Sequence, residues 1–468
     1  MKENKKKKEK KELNPIVIVV AVILLAAICT YILPAGQFER VVDETTGAEM
    51  VVPGSYVEIE KSPITLMGLL TSITLGMQGA GSIVFFLLIV GGVFGIVQET
   101  GAIHAGIGNL VKTLGNKQML LIPVCITVFG IISSTAACCE EYLAILPLMY
   151  TACIALGFDS IIAMMLLMGV SAMGFASSLA NPFTVGVAQG IAGLPTFSGI
   201  ELRIALLVVL IIVTTAYVML YGKRILKNPQ LSPMYEIDKA NAKPIDLSAV
   251  EKLTGRQIGV LTVFMGGFVF IAVMVITKGY YMDELSALFI AIGLICAAIA
   301  GMGPSRICDA FMAGAKDMLM AAMLVGFCKS ATIILSDANV FDTLINAMGT
   351  ALDGLNATLA AIGMYLLQTV FSIAVPSGSG QAAMTMPFMA PLSDLLGITR
   401  QTAVLAYQLA DSFTNVVTPV SGVLMGALTI CHIPWKTWFK WLVPLWGIWI
   451  LVAFGFLIFA VQTNYGPF

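Results

Sequence analysis

The chain has 468 residues, 58% of them hydrophobic and 11% charged, where a soluble domain carries about 25% charge. Its net charge of −1 leaves no footprint for nucleic acid, and its nine cysteines show no CxxC or CxxxH spacing, which excludes a zinc module. The composition is that of a polytopic membrane protein whose cysteines are small buried hydrophobes.

The lysine-rich start, "MKENKKKKEKKELNP", precedes an apolar run over 16–33. The run lacks an A-x-A cleavage site and many more spans follow, so it reads as a retained first helix behind a cytoplasmic basic tail, 1–15. Stretches long enough to cross a bilayer recur near 80–98, 160–192, 200–222, 257–278, 284–302, 318–335, 401–431 and 436–462. Two other apolar regions, 119–156 and 356–396, carry a polar, small-residue patch at their middle. Neither half of either region is long enough to cross and return, so each is expected to be a re-entrant helical hairpin. The basic loops (Lys112 and Lys117; 223–256; Arg306; Lys436 and Lys440) fall on one side of this count and the acidic ones (35–62 and 337–353) on the other. The positive-inside rule then places the N-terminus in the cytoplasm and the C-terminus outside the cytoplasmic membrane.

Sliding the sequence on itself by about 240 residues aligns the two halves. "LPLM" (146–149) lies on "MPFM" (386–389), Gly157 on Gly397, and "NP" (181–182) near "TP" (418–419). The expected fold is therefore an all-α polytopic membrane protein of inverted-topology repeats. It has about nine transmembrane helices plus two re-entrant hairpins and two broken helices. The first repeat is 16–222 and the second 284–468, joined by a cytoplasmic linker, 223–256, and a linking helix, 257–278. This is the organisation of a secondary transporter with alternating access.

Four interruptions carry the candidate chemistry: the tips "SSTAACCEE" (133–141) and "PSGSGQ" (376–381), and the breaks "SSLANP" (177–182) and "SFTNVVTP" (412–419). Non-helical backbone persists at membrane depth only where it is buried in protein or lines a cavity. Ser377, Gly378, Ser379, Gly380 and Gln381 open a half-helix whose N–H groups suit a carboxylate. Ser133, Ser134, Thr135, Asn415 and Thr418 add neutral hydrogen-bond partners. The oxygens of Ser177, Ser178 and Asn181 suit a sodium ion, the one cofactor the sequence leaves room for. Intramembrane charge is costly and functional by default, which singles out Glu140, Glu141, Lys329 and Asp411. Asp411 has Ser171 as its repeat counterpart, and Lys329 is expected to pair with an acidic residue or to replace a cation. "WKTWFKW" (435–441) reads as an interfacial anchor, and His104 and His432 as interfacial side chains.

The segments "SAMGFASSLANPFTVGVAQGIAGLP" and "VPSGSGQAAMTMPFMAPLSDLLGITRQTAVLAYQLADSFTNVVTPVSGVLMG" resemble the YfcC-type branch of the C4-dicarboxylate uptake carrier family. The family lies in an ion-transporter superfamily shared with the aminobenzoyl-glutamate transporters, and the resemblance covers nearly the whole chain from about residue 15. It implies a scaffold domain that also forms a homodimer, and a transport domain of hairpins and broken helices. The superfamily's tip-and-break pattern maps onto 133–141 with 177–182 and onto 377–381 with 415–419. Members of the branch are linked both to C4-dicarboxylates and to basic amino acids, as in arginine/ornithine exchange.

No arginine is expected in the membrane core, and three acidic residues are. That combination favours a small substrate with an amino group, while a C4-dicarboxylate or other organic anion coupled to sodium or protons stays open. A channel would need the tips to form one open path. An enzyme would need a nucleophile with its base or an HExxH set, and neither is present. The expected partners are a small molecule and the lipid bilayer.

Overall fold

The computed structural model describes residues 15–42, 49–52, 54–103, 105, 106, 109, 115–241, 253–278, 280, 282–352 and 354–466. The tail 1–14, Asp43, Glu44, His104, Lys112, Lys243, Lys252 and Asp353 lie outside these residues. The chain is an all-α polytopic membrane protein. Eight helices among the described residues are long and apolar enough to cross a membrane.

In chain order the helices are α1 (Pro15–Ile32), α2 (Leu66–Gly79), α3 (Gly81–Glu99), α4 (Leu121–Ala136) and α5 (Glu141–Ala155). Next come α6 (Ser160–Ser177), α7 (182–191), α8 (Ile200–Lys227) and the short linker helix α9 (Tyr235–Asn241). The remainder are α10 (Gly255–Lys278), α11 (Met282–Ala300), α12 (Pro304–Asp337), α13 (Val340–Leu352), α14 (Ala357–Ala374), α15 (Gly378–Leu395), α16 (Arg400–Asn415), α17 (Gly422–Ile430) and α18 (Trp435–Gln462). Side-chain caps start several of them: Thr65, Asp159, Asn356, Thr399 and Ser421 each accept a backbone N–H of the helix they precede.

Three features depart from the sequence expectation. The first arm of each hairpin is longer than expected: Lys117–Thr135 has 19 residues and Ala357–Ala374 has 18, enough by length and composition to cross a membrane. A 3-10 turn over Gly115–Leu120 extends the first of these arms. The span expected at 318–335 is one 34-residue helix, α12. Packed against it, the span expected at 80–98 is preceded by a further helix, α2, separated from α3 by a discontinuity at Ala80.

The packing of α12 on α2 and α3 depends on missing side chains. A Cβ at Gly91 would stand 2.7 Å from the Gly314 carbonyl oxygen, and one at Gly95 would stand 2.9 Å from the Gly314 nitrogen. Gly91 and Gly95 form a small-xxx-small pair that lets two backbones meet, the contact that replaces hydrophobic driving force inside a bilayer.

Burial sorts the helices by chemistry. The window Ser160–Ser177 is 94% buried, whereas those of α8 and α18 are 28% buried and turn apolar side chains outward. In α16 every residue from Gln401 to Thr414 is buried, including Gln408, Asp411 and Ser412. Polar groups of this kind are tolerated at membrane depth only inside protein.

The described residues of 35–62 include four short strands. β1 (Ala35–Gln37) pairs antiparallel with β4 (Val57–Ile59), and β2 (Arg40–Val42) with β3 (Glu49–Val51). The partner that fixes them is 300 residues away in sequence: Asp342 accepts the Phe38 N–H at 3.0 Å and pairs with Arg40 at 2.6 Å. The two acidic segments therefore share one end of the molecule.

At the opposite end, α9 docks beneath the start of α6. Asp238 Oδ2 accepts the Ser160 N–H at 3.0 Å, and Asp159 accepts the hydroxyls of Tyr221 and Ser232. Asp238 Oδ1 has no partner among the described residues. Burial, with the Asp159 charge behind it, pushes the Asp238 carboxyl up to about 6 against the opposing pull of the Ser160 bond. A carboxyl raised on docking favours the docked state when protonated. Its contribution is full below the ordinary carboxylate range and is lost as pH rises through about 6. Amides 235–241 are thus expected to exchange more slowly at pH 5.5 than at 7.5 after correction for intrinsic rates, and Asp238→Asn is expected to remove the difference. Equal protection at both pH values in the unsubstituted protein would refute this docking linkage.

Candidate functional site

Both hairpin tips, the second helix break and the start of α7 border one cavity of about 260 Å³. At the first tip, Ala137 takes the left-handed conformation that ends α4. Ser133 Oγ bonds the Cys138 carbonyl at 2.6 Å, while Ser134 and Thr135 return their hydroxyls to the Ile131 carbonyl at 2.8 Å. Glu141 turns back to accept the Cys139 N–H at 3.0 Å. These four residues hold the turn together. Of the first-tip residues expected in the site, Glu140 lines the cavity, and it is joined by Cys139, whose Sγ lies 3.5 Å from Ser171 Oγ.

At the second tip, Ser377 caps α15 by accepting the Gly380 N–H, and Ser377, Gly378 and Ser379 line the cavity. Gln381 points away from it and donates to Gln368 Oε1 at 2.7 Å. The tip rests on α16: the Tyr407 hydroxyl donates to the Gly378 carbonyl at 2.6 Å. Asp411, 2% exposed, accepts the Asn415 amide at 2.8 Å through Oδ1. Its Oδ2 lies 3.1 Å from where a Cβ on Gly378 would stand. Each tip thus meets the central helix that follows it, Cys139 at Ser171 and Gly378 at Asp411, and Ser171 and Asp411 are the pair related by the sequence repeat.

The breaks satisfy their own backbone. Asn181 Oδ1 accepts the N–H groups of Phe183 and Thr184 at 2.9 and 3.1 Å, which starts α7 with Pro182 at its first position. Ser177 Oγ donates to the Gly174 carbonyl at 2.9 Å, and Ser178 Oγ bonds the Phe175 carbonyl and the Thr184 hydroxyl. Ser177, Ser178 and Asn181 are fully buried and stand behind the cavity wall, which Phe183 and Thr184 form. In the second break, Asn415 lines the cavity, and Thr418 accepts the Val420 N–H at 3.3 Å. The carbonyls freed there are taken by indoles: Trp438 donates to Val416 at 2.8 Å and Trp435 to Val417 at 2.9 Å. Within "WKTWFKW", Trp438 is wholly buried, whereas Trp435, Phe439 and Trp441 are partly exposed and Lys436 and Lys440 exposed. The Trp438 N–H finds a broken-helix carbonyl in place of the interface.

Arg203 is buried, 1% exposed. It stands on the first turn of α8 and donates to the carbonyls of Phe197 and Ser198, apart from the cavity. Lys329 does line the cavity, yet among the described residues its ammonium pairs with neither Asp411 nor a glutamate. Tyr407 and Thr184 complete the site and were missed from sequence. Tyr407 precedes Asp411 by one helical turn on the same face, a spacing that marks it in retrospect.

The family model described as C4-dicarboxylate anaerobic carrier matches residues 14–462. The chain belongs to this carrier family. Among its relatives, the Escherichia coli (strain K12) protein named "Putative basic amino acid antiporter YfcC" is 32% identical over 94% of this chain and 95% of its own length. An uncharacterised protein of Haemophilus influenzae (strain ATCC 51907 / DSM 11121 / KW20 / Rd) is 28% identical over 89% of this chain and 82% of its own. Two solved structures align at 16% identity. The Alcanivorax borkumensis YdaH transporter covers 97% of this chain and 100% of its own, with a TM-score of 0.43. Neisseria gonorrhoeae MtrF, of a class of antimetabolite efflux pumps, covers 98% of each chain, with a TM-score of 0.41. Those scores are too low to bear on the geometry of the site. The C4-dicarboxylate anaerobic carrier family is one of membrane transporters.

Proposed function

We propose that this chain is a secondary carrier that moves a small amino acid by alternating access, in exchange for another. The observation that carries the reading is the charge of the cavity: Glu140, Asp411 and Lys329 line it, and no arginine does among the described residues. A dicarboxylate would face two resident carboxylates and one lysine. An amino acid presents a group of each sign, and a cationic one balances the excess negative charge, since buried unpaired charge is strongly unfavourable. The name of the Escherichia coli relative points the same way.

The second reading is a C4-dicarboxylate carrier, favoured by the family description and by the helix start at Ser377–Ser379, a natural anion seat. Proteoliposomes separate the two. Vesicles preloaded with unlabelled basic amino acid are expected to accumulate labelled basic amino acid in saturable counterflow, with succinate failing to compete. Counterflow of succinate and none of amino acids would establish the second reading. Sodium is an arm of the same experiment. If Ser177, Ser178 and Asn181 form a sodium site, replacing sodium by choline lowers the rate and Asn181→Ala abolishes that dependence. Exchange indifferent to sodium leaves those oxygens with their capping role alone.

A further inference from the structure

The cavity is lined by three acidic or basic side chains, and they are not equally engaged. Asp411 is occupied: Asn415 bonds one oxygen and the other abuts the second tip at Gly378. The positive start of α15 therefore already faces a resident carboxylate, which weakens its claim on the carboxylate of a ligand. Glu140 is different. Its neighbour Glu141 turns back to cap the tip, while no other side chain among the described residues bonds the Glu140 carboxylate.

Lys329 is the counterpart of opposite sign. Its stem passes beside Gly79, with Cγ and Cε 3.7 and 3.8 Å from the place a Cβ there would take, near the discontinuity between α2 and α3. The next residue, Ser330, is locked beneath Gly76, where a Cβ would stand 2.9 Å from the Ser330 nitrogen. The backbone bearing Lys329 is thus closely packed against α2, and the side chain lines the cavity. Among the described residues it forms no ion pair and no hydrogen bond.

From this juxtaposition we propose that Lys329 receives the carboxylate of the substrate and Glu140 its ammonium, so that the carrier distinguishes an amino acid from the amine left when its carboxylate is removed. The proposal rests on the amino-acid reading above and goes further by assigning each substrate group to a residue. Lys329 is on α12 and Glu140 on the first hairpin, so a bound amino acid bridges two elements distant in sequence. Neither an amine nor a dicarboxylate makes both contacts.

The test is equilibrium binding to the purified full-length carrier. The probes are lysine, ornithine, arginine and alanine, each paired with its decarboxylated amine: cadaverine, putrescine, agmatine and ethylamine. The unsubstituted protein is expected to prefer at least one amino acid to its amine by tenfold or more. Lys329→Met, which keeps the stem and removes the charge, is expected to weaken that amino acid roughly 30-fold while moving the amine less than about threefold. Lys329→Arg is expected to recover part of the loss, and Glu140→Gln to weaken both members of the pair. Equal losses for amino acid and amine in Lys329→Met, in a variant whose thermal midpoint and elution profile are unchanged, would overturn the assignment and leave the amino-acid reading standing. Absence of binding for every amino acid in the unsubstituted protein, with succinate bound, would overturn the reading and the assignment together.

Discussion

Gly314→Leu is expected to leave almost no folded carrier in the membrane. Gly314 is the point where α12 meets α3, and a Cβ there would stand 2.8 Å from both the Cα and the nitrogen of Gly95. The obstruction is backbone on both sides, so no side-chain rotation relieves it. Adding one or two methylenes to an ordinary packed core costs about 1–3 kcal/mol. A whole leucine forced between two backbones exceeds that and separates the helices whose contact replaces hydrophobic driving force in lipid. The check is detergent extraction followed by size-exclusion chromatography and thermal unfolding. Gly447→Leu and Gly455→Leu on α18 serve as controls, because a Cβ at either position meets nothing within 4 Å. Those two are expected to extract and unfold like the unsubstituted protein. Extraction of Gly314→Leu at normal yield with an unchanged midpoint would show that the close approach is not what holds α12.

Much of the fold is legible in sequence because the bilayer imposes a coarse ruler. Spans need long apolar runs, and polar patches such as "PSGSGQ" within them have few places to go. What escaped was set by contacts between distant residues. The strands of 35–62 are three residues each, too short to show a period, and they are fixed by Asp342 on α13. Docking of α9 depends on Asp238 reaching Ser160, 78 residues earlier. The discontinuity at Ala80 has no proline to announce it, only Gly79 and Gly81 on either side.

The candidate site was half legible for a related reason. Sequence marks serine, threonine and glutamine near a break as ligand groups, but such a side chain serves the nearest unsatisfied backbone or amide first. Ser133, Ser134, Thr135, Gln381 and Thr418 do that. Charge was the better guide. Of the four charged residues singled out, Glu140, Lys329 and Asp411 line the cavity, because an ionisable residue at that depth has few other tolerable places, while Glu141 caps the first tip.

Gly378→Ala is expected to reduce transport at least tenfold while leaving the protein folded. Its new methyl would stand 2.6 Å from Thr184 Cγ2 and 3.1 Å from Asp411 Oδ2. The second tip is thereby lifted from α16, and the bond from Tyr407 to the Gly378 carbonyl, 2.6 Å long, is stretched. The obstruction is a pair of side-chain ends, so the fold can yield where the alignment of the site cannot. Thr184→Ser provides the decisive companion. It removes Cγ2 yet keeps the hydroxyl that lies 3.0 Å from Ser178 Oγ, so alone it is expected to transport nearly normally. Combined with Gly378→Ala it removes the closer collision and is expected to restore at least a third of the lost activity, a coupling that independent sites would not show. Initial rates of counterflow in proteoliposomes measure all four forms, with each reconstituted amount checked by immunoblot. If the double variant is no faster than Gly378→Ala, contact between the second tip and the first break does not limit transport. The loss would then be assigned to Asp411, which the same methyl crowds from the other side and which Thr184→Ser leaves untouched.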